Sequence, residues 1–141
     1  MRKNQILLVE DNEGDIVLTT EAFEECDFKT DILVARNGKE AINILFNQQD
    51  DSELPNLILL DINLPLLNGH EVLKLIKENE KTKHIPVVML TTSSAISDIN
   101  LTYESQANCF ITKPADINDF FETINTLSNY WFKICKLPSK K

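Results

Sequence analysis

Leu57-Ile58-Leu59-Leu60-Asp61-Ile62-Asn63-Leu64-Pro65-Leu66-Leu67-Asn68-Gly69 opens as an unbroken apolar run, stops at a carboxylate, and then bends at Pro65 and Gly69. Continuous rather than alternating hydrophobicity predicts a strand covered on both faces, as in a parallel sheet. Four more runs share the pattern: Ile6 to Val9, Ile32 to Val34, Val87 to Leu90 and Cys109 to Ile111. Helical spacing fills the intervals. It is clearest in Ile117, Phe120, Phe121, Ile124 and Leu127, and present in Ala41, Ile44 and Leu45 and in Val72, Leu75 and Ile76. Residues 14–25 and 95–106 carry a weaker version of it. Strand followed by helix, five times over, predicts a doubly wound α/β sandwich with a five-stranded parallel sheet and five helices.

The remaining composition narrows the function. In 141 residues, 43% are hydrophobic and only 3 are Gly, so the chain is expected to form one domain over 1–141. No apolar run approaches the ~20 residues of a membrane helix, and the start of the chain does not read as a signal peptide, so a cytoplasmic, membrane-free protein is expected. A net charge of -8 argues against nucleic acid as a partner, because binding phosphates needs clustered cations. Cys26, Cys109 and Cys135 make an odd set with no C-x-x-C spacing, as expected for reduced thiols. Asn37-Gly38 reads as a turn, Gln48 to Pro55 as a loop, and His70 and His84 as surface polar residues.

In doubly wound sheets, reactive groups collect at the carboxyl ends of the strands. Here those ends supply Glu10 and Asp11 after the first run, Asp61 after the third, Thr91 and Thr92 after the fourth, and Thr112, Lys113 and Pro114 after the fifth. Any one acid would pass as a solvated loop charge, but placed together on one rim they repel one another. A hard divalent cation such as Mg²⁺ removes that conflict, since it prefers carboxylate and phosphate oxygens. Lys113 adds a mobile positive charge and Thr91 a hydroxyl donor, a set suited to phosphoryl chemistry. Asp61, at the end of the central strand, is the expected nucleophile, with an aspartyl phosphate as its product.

The motifs Val9-Glu10-Asp11-Asn12, Leu60-Asp61-Ile62-Asn63-Leu64-Pro65 to Gly69, Pro86-Val87-Val88-Met89-Leu90-Thr91 and Ile111-Thr112-Lys113-Pro114 occur in order, each at a strand end. With them the chain resembles the receiver domain of two-component response regulators, from Gln5 to about Tyr130. The resemblance implies a flavodoxin-like sheet in the order 2-1-3-4-5. It implies that Asp61 accepts phosphoryl from a sensor histidine kinase. Mg²⁺ would be held by Glu10, Asp11, Asp61 and the backbone carbonyl of Asn63, Asp11 acting directly and Glu10 through water. Thr91 and Lys113 would bind the phosphoryl oxygens, Phe110 would be the aromatic switch, and the Lys113–Pro114 bond would be cis. The chain departs from the common pattern at Ala115, often Phe, at Phe110, often Tyr, at Glu10, often Asp, and at Thr92, often Ala.

The end of the chain, from Tyr130-Trp131-Phe132 to Pro138, is similar to stand-alone receivers that serve bacterial phytochromes, as is the opening Val9-Glu10-Asp11-Asn12-Glu13-Gly14-Asp15. That subgroup implies a core of about 5–130, an extension over 131–141, and a homodimer seam built from Tyr130, Trp131, Phe132, Ile134 and Leu137. Too little chain follows Pro114 for a DNA-binding effector, so output through protein contact or onward phosphotransfer is expected. Other functions fit less well. An aspartyl-nucleophile phosphatase needs a proton-transferring carboxylate where Asn63 stands. A flavodoxin-like cofactor carrier would not place Glu10-Asp11 against a phosphate. A docking module that has lost phosphorylation would not keep Asp61, Thr91 and Lys113 together.

Overall fold

The computed structural model describes residues 4–26, 29–47, 54–91, 96–114 and 116–134. Five parallel strands run β1 (Asn4–Val9), β2 (Thr30–Ala35), β3 (Leu57–Leu60), β4 (Val87–Thr91) and β5 (Cys109–Thr112), side by side in the order 2-1-3-4-5. The helices between and after them are α1 (Glu13–Glu24), α2 (Gly38–Phe46), α3 (Gly69–Glu78), α4 (Ile96–Glu104) and α5 (Ile117–Asn129). A short π-helical stretch, Tyr130–Ile134, continues α5.

Alternation along the strands splits the core into two layers. Leu7, Val9, Ile58, Leu60, Val87 and Met89 face one side and pack with Ala41, Leu45, Val72, Leu73 and Ile76 of α2 and α3. Ile6, Leu8, Leu57, Leu59, Val88 and Leu90 face the other and pack with Ile16, Ala22, Phe23, Phe120, Ile124 and Leu127 of α1 and α5. Both faces of β1, β3 and β4 are therefore covered, which is why these runs show no alternation. β2 lies at an edge, and its Leu33 is exposed.

Short polar side chains start four of the helices. Asn12, Asn37, Asn68 and Asp116 each accept a backbone N–H from the first turn, satisfying donors that the helix itself cannot. The Asn37-Gly38 pair is thus a helix start, with Asn37 as the cap. At α3, Glu71 reaches back to Asn68 and completes a capping box. The buried face of α3 is Val72, Leu73 and Ile76, and Leu75 is partly exposed. Positions one and three residues along lie on neighbouring helix faces, so apolar spacing alone does not separate Leu73 from Leu75. The loop read at Gln48 to Pro55 lies outside the described residues except for Leu54 and Pro55.

Candidate functional site

The parallel ladder continues one residue past β1, β3 and β5 and so brings the reactive groups to one rim. Glu10 N–H donates to Ala35 O (2.9 Å), Asp61 N–H to Val9 O (3.1 Å) and Lys113 N–H to Thr91 O (2.7 Å). The loop that leaves Asp61 is held by a close approach. Gly69 N–H donates to Ile62 O (2.8 Å), and a Cβ on Gly69 would stand 2.1 Å from the carbonyl oxygen of Asp61. Only glycine lets α3 begin directly against the backbone of Asp61.

Carboxylate oxygens of Glu10, Asp11 and Asp61 lie within 4.8 Å of one another. Asp11 is exposed, Asp61 is nearly covered and Glu10 is buried, its side chain 3% accessible. Asp61 Oδ1 accepts the Ile62 N–H at 2.8 Å, and Glu10 Oε2 accepts the Asn12 N–H at 3.4 Å. The Lys113 side chain, 7% accessible, brings its Nζ onto Glu10, to 3.0 Å from Asp15 Oδ2 and to 4.0 Å from Asp61 Oδ2.

This arrangement disturbs both partners of the central ion pair. Burial raises the Glu10 carboxyl to about 7, aided by the Asp61 charge and opposed by Lys113. Burial alone would lower the Lys113 ammonium, but its bonds to Glu10 and Asp15 and the charge of Asp61 outweigh it and hold the group above the ordinary lysine range. The pocket is therefore over-supplied with negative charge, one ammonium facing four nearby acids. All three clustered donors are hard oxygens. Their spacing is close to the span of a hard cation's ligand shell, roughly twice a ~2.1–2.5 Å metal–oxygen distance. The donor set fits such an ion.

The other predicted positions are distributed as follows. Thr91 closes β4 at the same rim and is buried. Asn63 is exposed, two residues into the loop beyond Asp61. Phe110 is half-buried in β5, packs on the α2–α3 layer, and donates its backbone N–H to Tyr103 Oη at 3.2 Å. The Lys113–Pro114 bond corrects an expectation: it is trans, as are all peptide bonds among the described residues. An X–Pro amide prefers trans by about 0.5–1 kcal/mol, and Lys113 reaches Glu10 and Asp15 from that geometry. Ala115 and Thr92 lie outside the described residues.

Trp131 and Phe132 are half-buried against the α1–α5 layer, and Tyr130 is exposed with its ring edge-on to Trp131, centroids 5.1 Å apart. With Asn108, Cys109, Ile111 and Leu127, Tyr130 and Trp131 line a groove of about 620 Å³ beside the edge strand β5. The side chain of Ile134, and Leu137 altogether, lie outside the described residues.

Two partners were missed from sequence. Asp15 meets Lys113 across 98 positions; the signal available was its place in the first turn of the helix that follows Glu10-Asp11. His70, expected as a plain surface residue, sets its Nε2 3.2 Å from Asp98 Oδ1 and so joins α3 to α4.

With this geometry established, comparison with known proteins is specific. The model of the response regulator receiver domain matches residues 6–125. Response regulator Rcp1 of Synechocystis sp. is 39% identical over 136 residues, covering 95% of this chain and 92% of that protein. The crystal structure of the phosphorylated cyanobacterial phytochrome response regulator RcpA superposes with a TM-score of 0.91 at 38% identity, covering 98% of this chain and 100% of that one. The Mn²⁺-bound form of Rcp1 gives 0.88 at 39% identity, with 96% and 99% covered. Among the described residues no helix is long and apolar enough to cross a membrane.

Proposed function

This chain belongs to the response regulator receiver domain family, and from that premise we propose that it accepts a phosphoryl group on Asp61 from a sensor histidine kinase. The observation that carries this reading is the meeting of Glu10, Asp11, Asp61 and Lys113 at one rim, with Asp61 at the end of a central strand. In the transfer, an Asp61 carboxylate oxygen bonds to phosphorus as the donor's P–N bond breaks. The imidazole nitrogen keeps the electron pair and takes up a proton. Positioning and charge neutralisation supply most of the catalysis in such steps.

Glu10, Asp11, Asp61 and the carbonyl of Asn63 would hold Mg²⁺, and that a relative takes Mn²⁺ supports a divalent site. Bound there, the ion neutralises charge shared by the carboxylates and the phosphoryl oxygens. Lys113 and Thr91 would contact the phosphoryl group, Lys113 by turning from its carboxylate partners. Phe110, in β5 against the α2–α3 layer and hydrogen-bonded through its backbone to Tyr103, would relay the change toward α4. The Asn63 amide cannot act as a general acid or base as a carboxylate does, so the chain would catalyse only its own phosphorylation and dephosphorylation.

The test is incubation with Mg²⁺ and a small phosphoryl donor, followed by intact-mass measurement. One added phosphoryl group, lost in Asp61→Asn, supports the reading; the label on another residue overturns it.

The partner follows by similarity. RcpA is a phytochrome response regulator, which supports a phytochrome-like kinase as the donor for this chain. The groove beside β5 and the exposed Tyr130 support a homodimer seam, to which Ile134 and Leu137 would add apolar surface. Trp131 and Phe132 contribute less to that seam, because they cover the chain's own core. Light scattering on the full chain and on Tyr130→Glu tests this: a dimer that dissociates on substitution is expected, and a monomer in both cases removes it.

A further inference from the structure

Lys113 offers three N–H donors, and two carboxylates take them at close range: Glu10, and Asp15 at 3.0 Å. The two are not equivalent. Glu10 belongs to the three-carboxylate set with Asp11 and Asp61, so a cation entering that set and the Lys113 ammonium compete for the same buried oxygens. Asp15 stands outside that set. It is held in the first turn of α1, where its backbone N–H donates to the Asn12 cap at 2.9 Å. Its side chain is 35% accessible, against 3% for Glu10.

We propose that Asp15 is a positioning residue that shares the Lys113 ammonium with Glu10 and takes it over when a divalent cation enters the Glu10–Asp11–Asp61 set. The proposal rests on the cation-dependent phosphoacceptor reading above. Without Asp15, the only strong partner left to Lys113 among the contacts of the pocket is Glu10, with Asp61 beyond it at 4.0 Å. Lys113 then stays on the oxygens that the cation needs.

The test is calorimetric titration of the full chain with Mg²⁺ alone, in a double-mutant cycle of Asp15→Asn and Lys113→Ala. Asp15→Asn is expected to weaken Mg²⁺ binding about tenfold when Lys113 is present. With Lys113→Ala the same substitution is expected to change it less than twofold, because no ammonium remains to be moved. Asp15→Glu should restore most of the affinity, since it returns the anchor. Circular dichroism checks that each variant is folded. Equal weakening in both backgrounds would show that Asp15 acts on the ion directly and overturns the proposal. So would unchanged affinity in Asp15→Asn, while the phosphoacceptor reading stands. If the unsubstituted chain takes up no Mg²⁺, both fall.

Discussion

Helices α3 and α4 flank the same end of the sheet and are held in opposite ways. α3 is fixed by its backbone and its core. Its first residue, Gly69, lies against the Asp61 carbonyl, a capping box closes its start, and Val72, Leu73 and Ile76 are buried. α4 buries only Thr102, whose hydroxyl is buried without a hydrogen-bond partner, while Ile96, Leu101 and Tyr103 are exposed. Side-chain contacts do much of the holding there: His70 to Asp98, and the Tyr103 hydroxyl to the Phe110 N–H. Low apolar burial is the property that lets an element open locally at small free energy. The firm helix thus starts against the Asp61 backbone, and the loosely held one is joined to it by the His70–Asp98 contact.

Gly69→Ala attacks the firm side most severely. Its Cβ would overlap backbone oxygen, which does not yield as a flexible side chain does, so a loss of about 4 kcal/mol in urea unfolding is expected. Leu73→Ala should cost about 3 kcal/mol and Leu75→Ala less than about 1, because only the first leaves a cavity. Equal costs would show that the buried face of α3 is misassigned.

The pocket floor gives a pH test. The folded Glu10 value of about 7 lies above the ordinary 4.5, so the unfolded chain releases this proton more readily than the folded one. The resulting stability is fully present below pH 4.5 and is lost as pH rises through 7, by about 3 kcal/mol. Urea unfolding in chelator at several pH values should show this slope, and Glu10→Gln should remove it. The smallest effect belongs to α4. Asp98→Asn should lower global stability by only about 0.5 kcal/mol. Hydrogen exchange should nevertheless speed up in α4 and not in α3; matched acceleration in both would mean that the two helices are held alike.

Much of this was legible from one-dimensional pattern. Leu57 to Leu60 and Val87 to Leu90 announced covered strands because burial on two faces demands apolar residues in succession. Residues 96–104 were weakly legible because a helix with little buried surface leaves little apolar spacing to read. At the pocket, Glu10, Asp11, Asp61 and Lys113 could be collected because each directly follows a strand. Asp15 and the His70–Asp98 pair could not, since their partners lie 98 and 28 positions away. The trans bond at Pro114 and the packing of Trp131 and Phe132 on their own core also needed the assembled chain.

Order of elements, the rim on which the acids gather, and the identity of Asp61 as acceptor candidate all followed from local chemistry: apolar runs make strands, and strands deliver whatever residue comes next. Which acid holds Lys113, how far Glu10 is desolvated and how firmly each helix is seated emerged only on folding. Those properties are sums over neighbours brought together from distant positions, and such sums exist only in three dimensions.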